Sequence, residues 1–287
     1  MRGFVTLATG DVQYYELAKN LLISYRHNTK DPMPFAIVSD KENEYTALFD
    51  RVVILSDPTY SFLDKINMLY DPPFEENIFI DADCLAYGDL NDLWDYMPKH
   101  CGVVAPGRVL PKESDGGFFE YDSLGEYKNH VKYNVGMHGG IYFFRNDNLL
   151  KDQLKHIEYI YEHYSEYKFK YFTKPADEPL VALSTAIMGM KPVEFKEDFR
   201  AFAFYPSVKG IKSNVLKGEL SYITDDGRRI ENVYLLHWSH TNTRLPHYKI
   251  EIDRLSGNYN LMHCLTHHMK YNMGRLQNYI LRQKRLQ

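Results

Sequence analysis

The segment Asn77-Ile78-Phe79-Ile80-Asp81-Ala82-Asp83-Cys84-Leu85 sets a D-x-D pair directly after an apolar run. Side chains alternate along an extended chain, but where a strand ends the backbone curls and both carboxylates can approach one ligand. Ligands of open α/β sheets lie beyond the carboxyl ends of the strands. Two hard oxygen donors at such a place suit Mg²⁺ or Mn²⁺ bridging a diphosphate. The same pair also reads as a cap and turn opening the next helix, because aspartates are common at such turns. His237, by its residue type and place alone, reads as a half-buried histidine at a strand end, and Lys65 as a solvated helix residue.

These residues need a frame, and the first half of the chain supplies one. Short β-rich runs alternate with amphipathic stretches, the pattern of a mostly parallel sheet with helices on its faces. Strands are expected over 4–8, 34–39, 51–55, 77–80 and 101–105. Tyr14, Leu17, Ala18, Leu21, Leu22 and Tyr25 fall on one face of a helix, with Asp11 as its cap. A short helix is expected around 90–97. From 106 to 135 glycines, a proline and scattered charges make a stretch too long for an ordinary connection, read as a lid or acceptor-side insertion. A strand over 140–144, helices over 146–167 and 177–188, and a strand over 233–238 follow.

Composition bounds the function. With 34 basic against 38 acidic residues in 287, the net charge of -4 argues against a dedicated nucleic-acid binder. Cys84, Cys101 and Cys264 are odd in number and never paired as C-x-x-C, so neither a disulfide framework nor a cysteine-rich zinc site is indicated. No run approaches the ~18 apolar residues of a membrane span, and a cytoplasmic chain is expected. After Asp253 there is no acid, while Arg254, Lys270, Arg275, Arg282, Lys284 and Arg285 are basic. Leu265, Met269, Leu276 and Tyr279/Ile280 recur among them at near-helical spacing, giving a basic amphipathic tail over 254–287. It reads either as a last helix docked by its apolar side or as a peripheral membrane contact, with a break expected at Gly274.

Several segments resemble, in order and spacing, glycosyltransferase family 8, the glycogenin and bacterial lipopolysaccharide galactosyltransferase group, of the GT-A fold. Phe4 to Asp11 is similar to that family's first strand and its uridine-contacting end. Phe62-Leu63-Asp64-Lys65-Ile66 resembles the segment carrying a diphosphate-contacting lysine, and Phe79-Ile80-Asp81-Ala82-Asp83 resembles the metal motif. His138-Gly139-Gly140 stands where the family has N-S-G, Asp177-Glu178-Pro179 where it has D-Q, and Leu236-His237-Trp238 at its late metal-binding histidine. The resemblance spans roughly 4–244. It implies an α/β GT-A domain over 1–253, with a nucleotide-sugar half (1–145) and an acceptor half (146–253). The implied activity is metal-dependent, retaining transfer of a hexose from a nucleotide-sugar, a UDP-hexose, to a glycan, lipid-linked or protein acceptor.

The implied metal ligands are Asp81, Asp83 and His237, with Mn²⁺ favoured somewhat over Mg²⁺ because imidazole softens the site. Donor contacts carry over to Leu7, Ala8, Thr9, Gly10, Tyr14, Lys65, Asp81, Ala82, His138, Gly139 and Arg244. The catalytic pair is Asp177 and Glu178. Three departures matter: His138 replaces an asparagine near the transferred sugar, the H-x-x-G-x-x-K ending lacks its glycine and lysine, and Glu178 replaces an amide. Arg244, one step late, is the substitute for that lysine. Two other classes compete: a haloacid-dehalogenase-like phosphatase with Asp81 as nucleophile, and a sugar-nucleotide-binding protein that has lost turnover.

Overall fold

The computed structural model describes residues 1–195, 202–204, 209–224 and 226–285. In chain order it runs β1 (Arg2–Ala8), α1 (Val12–Asn28), β2 (Phe35–Ser39), β3 (Arg51–Ile54), α2 (Asp64–Asn67), β4 (Glu76–Ile80) and β5 (Cys84–Ala86). Then come β6 (Val103–Val104), β7 (Gly107–Leu110), β8 (Asn134–Met137), β9 (Ile141–Arg145), α3 (Asn148–Glu162) and α4 (Asp177–Ile187). The remainder is β10 (Phe202–Phe204), β11 (Lys209–Asn214), β12 (Glu219–Ile223), β13 (Arg229–Ile230), β14 (Leu235–His237), α5 (Pro246–Leu255) and α6 (Leu261–Arg285). The chain forms two compact units.

The first unit comprises Met1–Lys19, Asp31–Ala82 and Asn91–Phe199. Its sheet has the order β3-β2-β1-β4-β9-β6. The first four strands are parallel, while β9 runs antiparallel to β4 and β6 antiparallel to β9. β2 is buried along all five residues and β4 along its last four, as expected of strands covered on both faces. Phe4, Val5, Phe35, Ile78, Phe79, Phe143 and Phe144 are at most 1% exposed. Each such side chain contributes about 1.5–3 kcal/mol by leaving water, which fixes the strand ends that carry the polar groups. On α1, Asp11 accepts from Gln13 N at 3.0 Å, and of the adjacent tyrosines Tyr15 is buried and Tyr14 half-exposed.

The second unit comprises Asn20–Lys30, Asp83–Leu90 and Arg200–Gln287, so α1 passes from one unit into the other. Here β14 pairs parallel with β10 and antiparallel with β5, and β11-β12-β13 form an antiparallel sheet. The end of α1 ties down β5: Ser24 Oγ accepts from Ala86 N at 3.0 Å, and Asn28 Nδ2 donates to Ala86 O at 3.0 Å and Val215 O at 2.9 Å.

Across the 106–135 stretch, expected as a lid or acceptor-side insertion, β7 and β8 pair antiparallel around two short 3-10 turns. Four expectations are corrected. The helix expected over 146–167 ends at Glu162 and gives way to a 3-10 turn over Tyr164–Glu166. The 90–97 helix is a 3-10 helix, Leu90–Tyr96. Gly274 does not break α6, because its penalty of about 1 kcal/mol is small against the other residues of a 25-residue helix. Nor does α6 bury its apolar side along the part whose side chains are described: Leu261, Met262, Leu265, Met269 and Met273 are 50–73% exposed. It is held instead by a polar contact to α5, His267 Nε2 lying 2.8 Å and His263 Nδ1 3.6 Å from Asp253 Oδ2. The last two residues of the tail lie outside the described residues.

Candidate active site

In the first unit, four elements converge on one buried charge cluster. The cross-strand pair Phe79 on β4 and Tyr142 on β9 stacks at 5.9 Å and 29°. Lys65 on α2 lays its ammonium over both rings, 5.4 and 6.0 Å from their centres. Around it stand Asp81 at the end of β4, with Oδ1 at 2.7 Å and Oδ2 at 3.0 Å, and Asp177 Oδ2 at 3.3 Å. Asp177 and Glu178 open α4, where acids are favoured by the helix dipole, and Pro179 follows in the first turn, where its missing N–H costs nothing. Tyr142 donates to Asp177 Oδ2 at 2.7 Å.

Gly139 joins the parts. Its N–H donates to Glu178 Oε1 at 2.6 Å and its carbonyl accepts from Lys65 Nζ at 3.2 Å. A Cβ there would stand 2.6 Å from the Tyr142 hydroxyl and 2.7 Å from Glu178 Cγ, so only glycine fits without displacing the site. His138 is half-buried, its N–H donating to Pro106 O at 3.1 Å while its Nδ1 accepts from Gly140 N at 3.1 Å.

The electrostatics follow from burial. Burial disfavours the Lys65 charge, but Asp177 and Asp81, with Glu178, outweigh it and hold the ammonium above the usual lysine range. Burial, then Asp177, pushes Glu178 up to about 7, against the pull of the Gly139 N–H and Lys65. Burial and the same carboxylates push the Tyr142 hydroxyl up, so it stays protonated and donates to Asp177. One ammonium thus faces two aspartates, while a neighbouring glutamate titrates near neutrality.

The other expected donor contacts of this unit sit at the carboxyl end of β1. Ala8 and Thr9 are buried, and Leu7, Gly10 and Tyr14 are partly exposed. Thr9 Oγ1 donates to the fully buried Asp64 at 2.9 Å, and Gly10 N donates to Asp40 Oδ1 at 3.2 Å. Ala82 is buried one residue beyond Asp81.

In the second unit, the β5–β14 register sets Cys84 opposite His237 and brings Asp83 Oδ1 to 2.9 Å from His237 Nε2. Asp83 O accepts from Trp238 N at 3.1 Å, and Trp238 is fully buried with Tyr248 edge-on at 5.6 Å. Asp83, Cys84 and His237 bring their donor atoms within 4.8 Å of one another, the one such group of three among the described residues. The carboxylate suits a hard divalent ion such as Mn²⁺, the imidazole a somewhat softer one, and a buried thiol softer metals still. Arg244, on the 3-10 turn His240–Arg244, is exposed.

Tyr142, Asp64 and Asp40 were not singled out by the sequence. A tyrosine inside the apolar run of β9 was the available sign for the first, because a buried phenol needs a partner.

No protein-family model matches the sequence, and no curated protein matches it. Solved structures do. The apo structure of WbbM, a bifunctional glycosyltransferase, superposes with a TM-score of 0.52 at 11% identity, covering 92% of this chain and 51% of that one. An active-site variant of LgtC with glutamate in place of glutamine gives 0.51 at 13% identity, over 90% and 95% of the two chains. The chain spans about half of WbbM, and 46% of GlyE of Streptococcus pneumoniae TIGR4, which matches at 0.45 and 11% identity. The fold is the GT-A fold of glycosyltransferases. No helix among the described residues is long and apolar enough to cross a membrane.

Proposed function

We propose that this chain is a retaining glycosyltransferase that moves a hexose from a nucleotide-sugar, a UDP-hexose, to a glycan, lipid-linked or protein acceptor. The observation that carries this reading is the buried cluster of Lys65, Asp81, Asp177 and Glu178 at the carboxyl ends of the strands in a GT-A fold. The LgtC match adds to it, being an active-site variant in which glutamate stands for glutamine. Glu178 is proposed for the equivalent place.

In this reading Asp177, oriented by Tyr142 and Lys65, accepts hydrogen bonds from the sugar hydroxyls. Glu178 in its ionised form attacks the anomeric carbon as the bond to the diphosphate oxygen breaks, and the acceptor hydroxyl, giving its proton to that phosphate, then displaces the carboxylate; or it only stabilises the oxocarbenium character that develops there. Its value near 7 means that a large share is ionised at neutral pH while the carboxylate is still basic enough to act. Lys65 is a counter-charge for the two aspartates before it is a phosphate ligand. The residues proposed to hold a divalent ion are Asp83 and His237. Asp81, the third ligand expected from the sequence, has both oxygens against Lys65 Nζ. When bound, the ion would neutralise the diphosphate and stabilise it as a leaving group.

The tail is proposed to bring the enzyme to anionic membrane, each basic residue near such a surface contributing about 1 kcal/mol. Its exposed apolar residues on α6 support this. Deleting 274–287 should weaken sedimentation with phosphatidylserine liposomes, and unchanged binding would make the tail structural. For the activity itself, the test is UDP release from a panel of UDP-hexoses with Mn²⁺. Cleavage of p-nitrophenyl phosphate in place of any sugar nucleotide would favour the phosphatase. Tight UDP binding without turnover would favour the binding protein.

A further inference from the structure

Tyr60 has φ +53°, the left-handed region that a bulky side chain rarely enters. Such a conformation costs on the order of 1–3 kcal/mol and persists only where the surroundings over-determine it. Here the determinant is Asp64, 0% exposed. Its Oδ1 accepts from Thr59 N at 2.7 Å and Thr59 Oγ1 at 2.8 Å, and its Oδ2 from Tyr60 N at 3.0 Å and Thr9 Oγ1 at 2.9 Å. A buried carboxylate thereby ties the 59–64 turn to the carboxyl end of β1.

What the turn presents is the ring. Tyr60 is 64% exposed, so the strain is not offset by burial of its own side chain. The ring lies against Gly10, where a Cβ would come within 3.1 Å of Cδ1, and Gly10 itself has φ +79°. Gly10 N is in turn fixed by Asp40, which follows β2. An outward aromatic ring, rigidly held at the carboxyl edge of two adjacent parallel strands, stands where open α/β sheets receive ligands. A flat π-face of this kind suits a planar heterocycle, and base–aromatic stacking needs no particular hydrogen-bond pattern.

We propose that Tyr60 is the platform on which the base of the nucleotide donor stacks. The assignment rests on the nucleotide-sugar reading above and adds a residue that determines where the base lies. The test is calorimetric titration of the full chain with UDP and, separately, with pyrophosphate, both in Mn²⁺. Tyr60→Asn, which tolerates the left-handed backbone, and Tyr60→Ala should each bind UDP about 10–100-fold more weakly than wild type, the range seen when a stacked base loses its ring. Tyr60→Phe should stay within about 3-fold, since the π-face is kept. Pyrophosphate binding should be unchanged in all three, and Tyr60→Asn should melt no lower than wild type. Unchanged UDP binding by Tyr60→Asn and Tyr60→Ala overturns the assignment while leaving the glycosyltransferase reading intact. Equal losses of UDP and pyrophosphate overturn it too, by making the ring a prop for the loop. A wild-type chain that binds pyrophosphate and no nucleotide overturns both readings.

Discussion

Asp81 and Asp83 are two residues apart and chemically identical, yet they meet different partners. Asp81 faces the ammonium of Lys65, and Asp83 the imidazole of His237. An ammonium whose charge is reinforced by two aspartates and a glutamate is a fixed counter-ion. It can balance charge and donate hydrogen bonds but cannot become a metal ligand. An imidazole can release its proton and present a lone pair to a metal alongside the carboxylate it was bound to. One carboxylate of the D-x-D therefore sits in an internal ion pair with an ammonium, while the other lies beside an imidazole, the pair proposed above to hold a divalent ion.

The sharpest way to break the contrast is to remove the fixed counter-ion. Lys65→Met should leave Asp81 and Asp177 buried without compensation, and loss of one partner of a buried pair costs about 3–5 kcal/mol. Denaturant unfolding should show that loss, and a loss below about 1 kcal/mol, the worth of a solvated surface pair, would show that the cluster is not a buried pair.

Glu178→Gln comes next. It should lower turnover by about 100-fold or more while UDP binding is retained, and near-normal turnover would make front-side attack, with no protein nucleophile, the better account. In wild type, kcat/KM should rise with pH through about 7 as the carboxylate ionises, and the variant should lack that limb. Stability should run the other way. The carboxyl titrates higher folded than unfolded, so its contribution is full below about 4.5 and is lost as pH rises through about 7. Glu178→Gln should accordingly gain stability over wild type at pH 8, by up to roughly 3 kcal/mol, and gain little at pH 4.

His237→Ala tests the opening pair and has the smallest expected effect. It should weaken the Mn²⁺ dependence of turnover by about 10–100-fold, read as a shift of the metal titration midpoint. The same midpoint in variant and wild type would remove His237 from the ligand set.

Most of what frames these sites was legible in the sequence. The near-continuous apolar runs of β1, β2 and β4 mark strands covered on both faces, and the D-x-D after β4 marks the strand end. Less legible was what neutralises what. Lys65 reads as solvated when only its helix is considered, because Asp81 and Asp177 are 16 and 112 positions away and meet it only once β4 and α4 are in place. Tyr142 was hidden for the same reason: its role depends on the register that sets it opposite Phe79. The three-residue strand β5 escaped detection because so short a run has no period to read. The exposed face of α6 was invisible too, since periodicity says that a helix has an apolar side and not whether anything covers it.

That uncovered side carries a chemical liability. Met262, Met269 and Met273 stand 58–69% exposed on one helix, where an oxidant reaches their thioethers readily. Conversion to the sulfoxide turns each into a polar, stiffer group without touching the folded core. A preparation aged in air would therefore keep its melting profile while losing whatever adhesion the tail provides, and a methionine sulfoxide reductase would restore it.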